Sequence, residues 1–153
     1  MSRARAAFFL GCGLMVGACT APRDDPREDR AWIESNLVEQ AARIEGGPVA
    51  IQQIYKDLHL SVNLLRLTGP IALHRHLQSE ECAYLISGTG TFESTGGTRE
   101  MKAGDFAVVP PNTPHAFTPT GTAPAVILSI FTPPFIAGDR VYEQRSSEDR
   151  RER

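Results

Sequence analysis

The sequence predicts an all-β domain, a sandwich or barrel, with one short helix on its N-terminal side. Three observations carry this. Short runs of strand-forming residues recur from Val49 to Thr132, glycine- and proline-rich turn signals separate them at close spacing, and no long helical periodicity interrupts them. The 153 residues are 41% hydrophobic against 22% charged, which is enough apolar material for one core plus tails.

The elements follow in order. Ile33, Leu37, Ala41 and Ile44 recur at spacings of four, four and three, so they share one helix face, and Gly46-Gly47-Pro48 ends that helix. The helix is expected to lie on the outside of the main domain. The alternative, a membrane-surface helix, is disfavoured because its polar face is not enriched in Lys and Arg. Leu58 to Leu64 alternates with period two, and Gly69-Pro70 is a turn. Glu81 to Ser87 reads as a strand ending at Gly88. Thr89 to Ser94 and Thr98 to Lys102 flank the hairpin signal Gly96-Gly97. Ala103-Gly104-Asp105 turns into Phe106 to Val109, Pro110 to Pro114 is turn-rich, and His115 to Thr118 and Ala125 to Thr132 are two further strands. Residues 31–57 are thus a helix and lead-in strand, 58–132 the barrel, and 133–153 a C-terminal tail. From Asp139 onward that tail is dominated by charges of both signs and is expected to be solvated and frayed.

The N-terminus reads as an export signal over residues 1–18. Arg3 and Arg5 supply a positive start, and Ala6 to Val16 is an apolar stretch too short to span a bilayer comfortably. Val16-Gly17-Ala18-Cys19 resembles the lipobox of bacterial lipoproteins, which implies lipidation of Cys19 and a membrane anchor there. An ordinary signal cleaved near Ala21 is the alternative. Thr20 follows the cysteine where an Asp would resemble an inner-membrane retention signal, so a periplasm-facing, outer-membrane address is expected. Residues 19–30 hold Pro22, Pro26 and seven charged residues, and read as a tether. Without residues 1–18 and 19, Cys82 remains alone and no intrachain disulfide can form. Net charge is −2, or −4 without the first eighteen residues, and no large basic patch is visible, which argues against nucleic acid as a partner.

The residues that carry chemistry are His74, His76, a glutamate at 80 or 81, and His115. His74 and His76 are two apart on a strand and point the same way, with Arg75 opposite. A short turn returns the chain to Glu80-Glu81, and His115 arrives from a distant segment. Three imidazoles and a carboxylate suit a borderline or hard transition metal and can leave coordination positions open. The fourth histidine, His59, reads as a surface or supporting residue. Phe117 shares a face with His115 and is a pocket candidate as well as a core residue, whereas Phe92 and Phe131 read as core and Tyr84 as structural. Arg66, Arg75 and Arg99 could meet an anionic substrate, Arg75 being the poorest placed. No second well-placed general base is evident, which disfavours an epimerase or isomerase.

The two segments together resemble the cupin family in its jelly-roll form. His74-x-His76, four residues, Glu81, six residues and Gly88 match the first cupin motif; Gly104, five residues, Pro110 and the following run to His115 match the second. The fifteen residues between Gly88 and Gly104 match the short spacer of small bacterial cupins. Gly69 lies one residue closer to His74 than in the family pattern. Asn112 replaces a glycine but tolerates the left-handed backbone, and Pro119 replaces an asparagine. The resemblance selects Glu81 over Glu80. It implies a single jelly-roll barrel holding one divalent metal (iron, manganese, zinc, nickel, cobalt or copper) on His74, His76, Glu81 and His115. Family members often pair as dimers through edge strands, so a homodimer is among the implied partners. Three functional classes follow: a periplasmic small-molecule metalloenzyme, with dioxygenase-like oxidative cleavage of a chelating substrate foremost; a non-catalytic binding protein for a chelating ligand or sugar; and a structural or sensory lipoprotein.

Overall fold

The computed structural model describes residues 36–143. The signal over 1–18, Cys19, the tether over 19–30, the first helical turn at Ile33 and the tail beyond residue 143 lie outside the described residues. Among those described, no helix is long and apolar enough to cross a membrane.

Helix α1 spans Leu37–Ala42 and starts at Asn36, whose side-chain oxygen accepts the Glu39 backbone N–H at 3.2 Å. That bond satisfies one donor orphaned at the helix start. Ten strands follow: β1 Val49–Lys56, β2 Ser61–Leu67, β3 Ile71–His76, β4 Glu80–Ser87, β5 Thr89–Ser94, β6 Gly97–Lys102, β7 Phe106–Val109, β8 His115–Pro119, β9 Ala125–Thr132 and β10 Arg140–Tyr142. They form two five-stranded antiparallel sheets, β1-β2-β9-β4-β7 and β10-β3-β8-β5-β6, the jelly-roll arrangement the resemblance implied.

Period-two alternation decides what each sheet face buries. Leu65 and Leu67 of β2, Leu85 of β4 and Ile127 of β9 point between the sheets and meet Phe117 in the main core. Leu64 and Val126 point the other way, under Ala41, Leu37 and Ile44 of the helical segment. Strand β2 is therefore buried on both faces, and the helix covers the outside of the first sheet as expected. Leu64 is fully buried there, and its truncation to alanine would cost about 2–5 kcal/mol.

Two expectations need correction. Leu58 to Leu60 is a turn, not the start of a strand. Asp57 Oδ1 accepts the N–H groups of His59 and Leu60 at 2.7 and 2.8 Å, and this local pairing overrides the alternation, leaving Leu58 90% exposed. The start of the charged segment, Asp139 to Glu143, is built into the fold rather than frayed. Ala137–Asp139 forms a single 3-10 turn, and β10 pairs antiparallel with β3, Arg140 opposite His76 and Tyr142 opposite His74. Arg75 on β3 closes this segment with an ion pair to Glu143 at 2.7 Å.

Candidate metal centre

The four ligand candidates converge between the sheets. His74 and His76 lie on β3, and His115 stands directly opposite His74 on β8, with ring centroids 4.2 Å apart. Glu81 reaches across from β4 in the other sheet. All four are buried, and each offers one ligand atom such that these atoms lie within 4.8 Å of one another. Glu80, the rival carboxylate, is not in the group. Asn112 adopts the left-handed conformation at φ 60°. Its N–H bonds to the His76 carbonyl at 2.6 Å and its side-chain amide to Leu77 O at 3.2 Å, so the substitution for glycine ties the loop before β8 to the end of β3.

Hydrogen bonding fixes the tautomers. His74 Nδ1 faces Ala72 O and His115 Nδ1 faces Thr113 O, both at 2.9 Å. A carbonyl oxygen only accepts, so each Nδ1 carries the proton and each Nε2 presents a lone pair. His76 Nδ1 faces Asp139 Oδ2 at 3.2 Å. Burial pushes Asp139 up, but bonds from Gln78 and Ser79 and the adjacent His76 outweigh it and hold the carboxyl below its usual value. An ionised Asp139 likewise accepts, and it orients His76 as a partner of a metal-bound histidine does.

Three Nε2 lone pairs thus point at one carboxylate. His115 Nε2 is 3.2 Å and His76 Nε2 3.5 Å from Glu81 Oε2, and His76 Nε2 is buried without a hydrogen-bond partner. Lone pair against carboxylate is repulsive, and a shared proton or a metal cation between them reverses the sign. Burial first, then the neighbouring His115, lowers the pKa of His74 to about 4, so this imidazole is neutral near pH 7, as a ligand must be. Burial alone would raise Glu81, yet in the metal-free site a proton shared with His115 and His76, together with the Ser129 hydroxyl 2.6 Å from Oε1, holds it well below the ordinary carboxylate range. The donor set, its tautomers and the orphaned Nε2 all fit a divalent metal.

The cavity beside these residues is about 30 Å³, lined by His74, Glu81, His115, Ser129 and Arg140 together with apolar side chains that include Phe92, Met101 and Phe117. That is room for about two water molecules. Phe117 is both a pocket and a core residue. Its ring lies so close over Gly90 that a Cβ there would stand 2.2 Å from the ring edge. Phe92 and Phe131, expected in the core, also border the site, with centroids 6.2 Å from His115 and 4.9 Å from His76. His59 is exposed and takes no part.

None of the three arginines expected to meet an anion lines this cavity. Arg75 is paired with Glu143, Arg66 lines a hollow beside Val38 on the outer face, and Arg99 lines one beside Phe106. Arg140 lines it instead. Ser129 could have been found from the sequence, as a polar residue in phase with inward-facing Ile127 and Phe131 on β9. Asp139 and Arg140 could not, because nothing local distinguishes them from the charged residues after them.

The fold and site together define a double-stranded β-helix with a buried three-histidine, one-glutamate set. The cupin domain family profile matches residues 68–131. An uncharacterized protein of Methanocaldococcus jannaschii is 38% identical over 84 residues, 54% of this chain and 67% of that protein. The chain belongs to the cupin superfamily. Among solved structures, an uncharacterized conserved Klebsiella pneumoniae protein with a double-stranded β-helix domain superposes with TM-score 0.63 at 22% identity, covering 76% of this chain and all of that one. Streptomyces PAC13 with uridine superposes with TM-score 0.57 at 21% identity, covering 74% and 92%.

Proposed function

We propose that this protein is a metal-binding cupin acting as a small-molecule metalloenzyme of dioxygenase-like, oxidative type, displayed in the periplasm as a lipoprotein anchored through Cys19. One observation carries the metal reading: three histidine Nε2 atoms and Glu81 meet in a buried cluster whose tautomers leave lone pairs facing a carboxylate. A divalent transition metal held there would supply Lewis-acid or redox chemistry at its open positions. The chain's own residues exclude water and orient: Asp139, Ala72 O and Thr113 O aim the imidazoles, Ser129 fixes Glu81, and Phe92 and Phe117 keep the interior apolar. Among the described residues lining the cavity, the titratable side chains are His74, Glu81, His115 and Arg140. No separate general base stands there, which favours chemistry centred on the metal. The same observation supports the second reading, a non-catalytic binding protein for a chelating ligand or sugar.

The deciding measurement is the metal content of the 20–153 domain purified without a metal-affinity tag, beside a His76→Ala/His115→Ala variant. One metal per chain, lost in the variant, is the expected result. A folded domain that takes up none would overturn the reading. Turnover of diketones, catechols or thiols with iron or manganese bound would select the enzyme; a ligand-dependent thermal shift without product would select the binding protein. The lipoprotein assignment rests on Val16 to Cys19, and palmitate labelling that persists in Cys19→Ala would overturn it.

A further inference from the structure

Arg140 borders two spaces at once. On one side it lines the metal cavity with His74, Glu81 and His115; on the other it lines a groove of about 260 Å³ with Gln53, Asn63, Phe131 and Phe135. Leu65 is likewise common to both, so the groove abuts the metal cavity across these two side chains. The groove is a little below the size of pockets for drug-sized ligands. Its walls offer two aromatic rings with centroids 5.3 Å apart and two amide side chains, a mixture suited to a small planar organic molecule.

Among the described residues, the partner of the Arg140 guanidinium is the Phe135 ring. No carboxylate pairs with it among the described residues. Its guanidinium carbon stands 5.3 Å from the centroid of the Phe135 ring, and its Nε is buried without a hydrogen-bond partner. Burying such a donor unpaired is costly. Register fixes its place: β10 pairs with β3 so that Arg140 is opposite His76. Resting on the metal reading above, the local balance is a dication, two carboxylates in Glu81 and Asp139 and one guanidinium, a net charge of +1 that favours an incoming anion.

The geometry points to a substrate site for a small carboxylate-bearing organic acid, in which Arg140 grips the carboxylate and the groove between Phe131, Phe135 and Asn63 holds its body beside the metal. A guanidinium binds a carboxylate through two parallel hydrogen bonds, a geometry lysine cannot reproduce and glutamine only weakly approximates. Arg140 is thus the specificity-determining residue, selecting acids over neutral molecules of the same shape.

The test uses benzoate and benzamide, matched in shape and differing in charge, with the full-length protein loaded with manganese(II). Binding is read by titration and by paramagnetic broadening of the probe's proton signals, which reports closeness to the metal. Benzoate should bind at least tenfold more tightly than benzamide and be broadened. Arg140→Gln should lose that preference with unchanged manganese content, and Arg140→Lys should retain part of it. Equal affinity for the two probes in the parent protein, or undiminished benzoate binding by Arg140→Gln, would overturn the site. If the protein takes up neither manganese nor any other divalent transition metal offered, the metal reading fails by itself. Titration of benzoate into the metal-free protein, followed through backbone amide shifts of Asn63, Phe135 and Arg140, then decides the groove separately: no shifts at these residues would overturn it.

Discussion

Replacing Asp139 by asparagine tests whether the C-terminal segment organises the metal centre. Asp139 is 1% exposed and uses both carboxylate oxygens: Oδ2 for His76 Nδ1 at 3.2 Å and Oδ1 for the Gln78 N–H at 2.7 Å. An amide has one accepting oxygen. With that oxygen on Gln78, the side-chain NH2 faces His76 Nδ1 and favours the tautomer that points a proton from Nε2 at the metal position. Loss of such a partner to a metal-bound histidine costs about 10–100-fold in metal affinity, or about 1.4–2.7 kcal/mol. With the oxygen on His76 instead, the Gln78 N–H loses its acceptor, and a part-buried unsatisfied donor costs about 1–3 kcal/mol of stability. That corresponds to at least about 4 °C in Tm. The assay pairs zinc competition against a chelator of known affinity with thermal unfolding of the metal-free protein. One of the two must fall. If both match the parent protein while His76→Ala abolishes zinc binding, the role assigned to Asp139 is refuted.

Three further outcomes follow from the same geometry. Ser129→Ala removes the 2.6 Å donor to Glu81 and should destabilise the metal-free protein by about 1.5–3 kcal/mol, measured as a denaturant midpoint; an unchanged midpoint would contradict it. Gly90→Ala places a methyl against the Phe117 ring and should cost about 1–3 kcal/mol through overpacking, with wild-type stability restored in part by Phe117→Leu; a neutral single variant would contradict the packing. Acid should destabilise the metal-free protein. His74 is lowered to about 4 from an ordinary value of 6.5, so between these limits the unfolded chain binds a proton that the folded chain does not. Its contribution is intact above pH 6.5 and is lost as pH falls towards 4, about 3 kcal/mol in all. The lowered Glu81 and Asp139 extend the loss below the unfolded carboxylate values. A denaturant midpoint that stays constant from pH 7 to 4 would exclude it.

The strands after Ser61 were legible because one buried face per sheet imposes period two, and because turn residues sit where the chain reverses. His74, His76 and His115 stood out as candidate ligands by chemistry alone, but choosing Glu81 over its neighbour needed the cupin motif. The errors have a common cause. At Leu58 a side-chain cap from Asp57 competes with alternation, and at Asp139 a charged residue is buried because His76, 63 positions earlier, needs an acceptor. Both are pairings of particular atoms, to which composition and periodicity are blind. Arg140 was missed for the same reason, hidden in a segment whose charge suggested solvent.

The seating of Asp139 under His76 also ties the end of the barrel to its centre thermodynamically. Any cation that binds more tightly when β10 is docked must, by reciprocity, dock β10 more tightly when it binds. Leu77 N–H to Asp139 O at 2.9 Å and Glu143 N–H to Leu73 O at 2.9 Å then become reporters of occupancy. Slowed amide exchange at these two positions and resistance to proteolysis after Phe135 would register metal loading without any assay of chemistry.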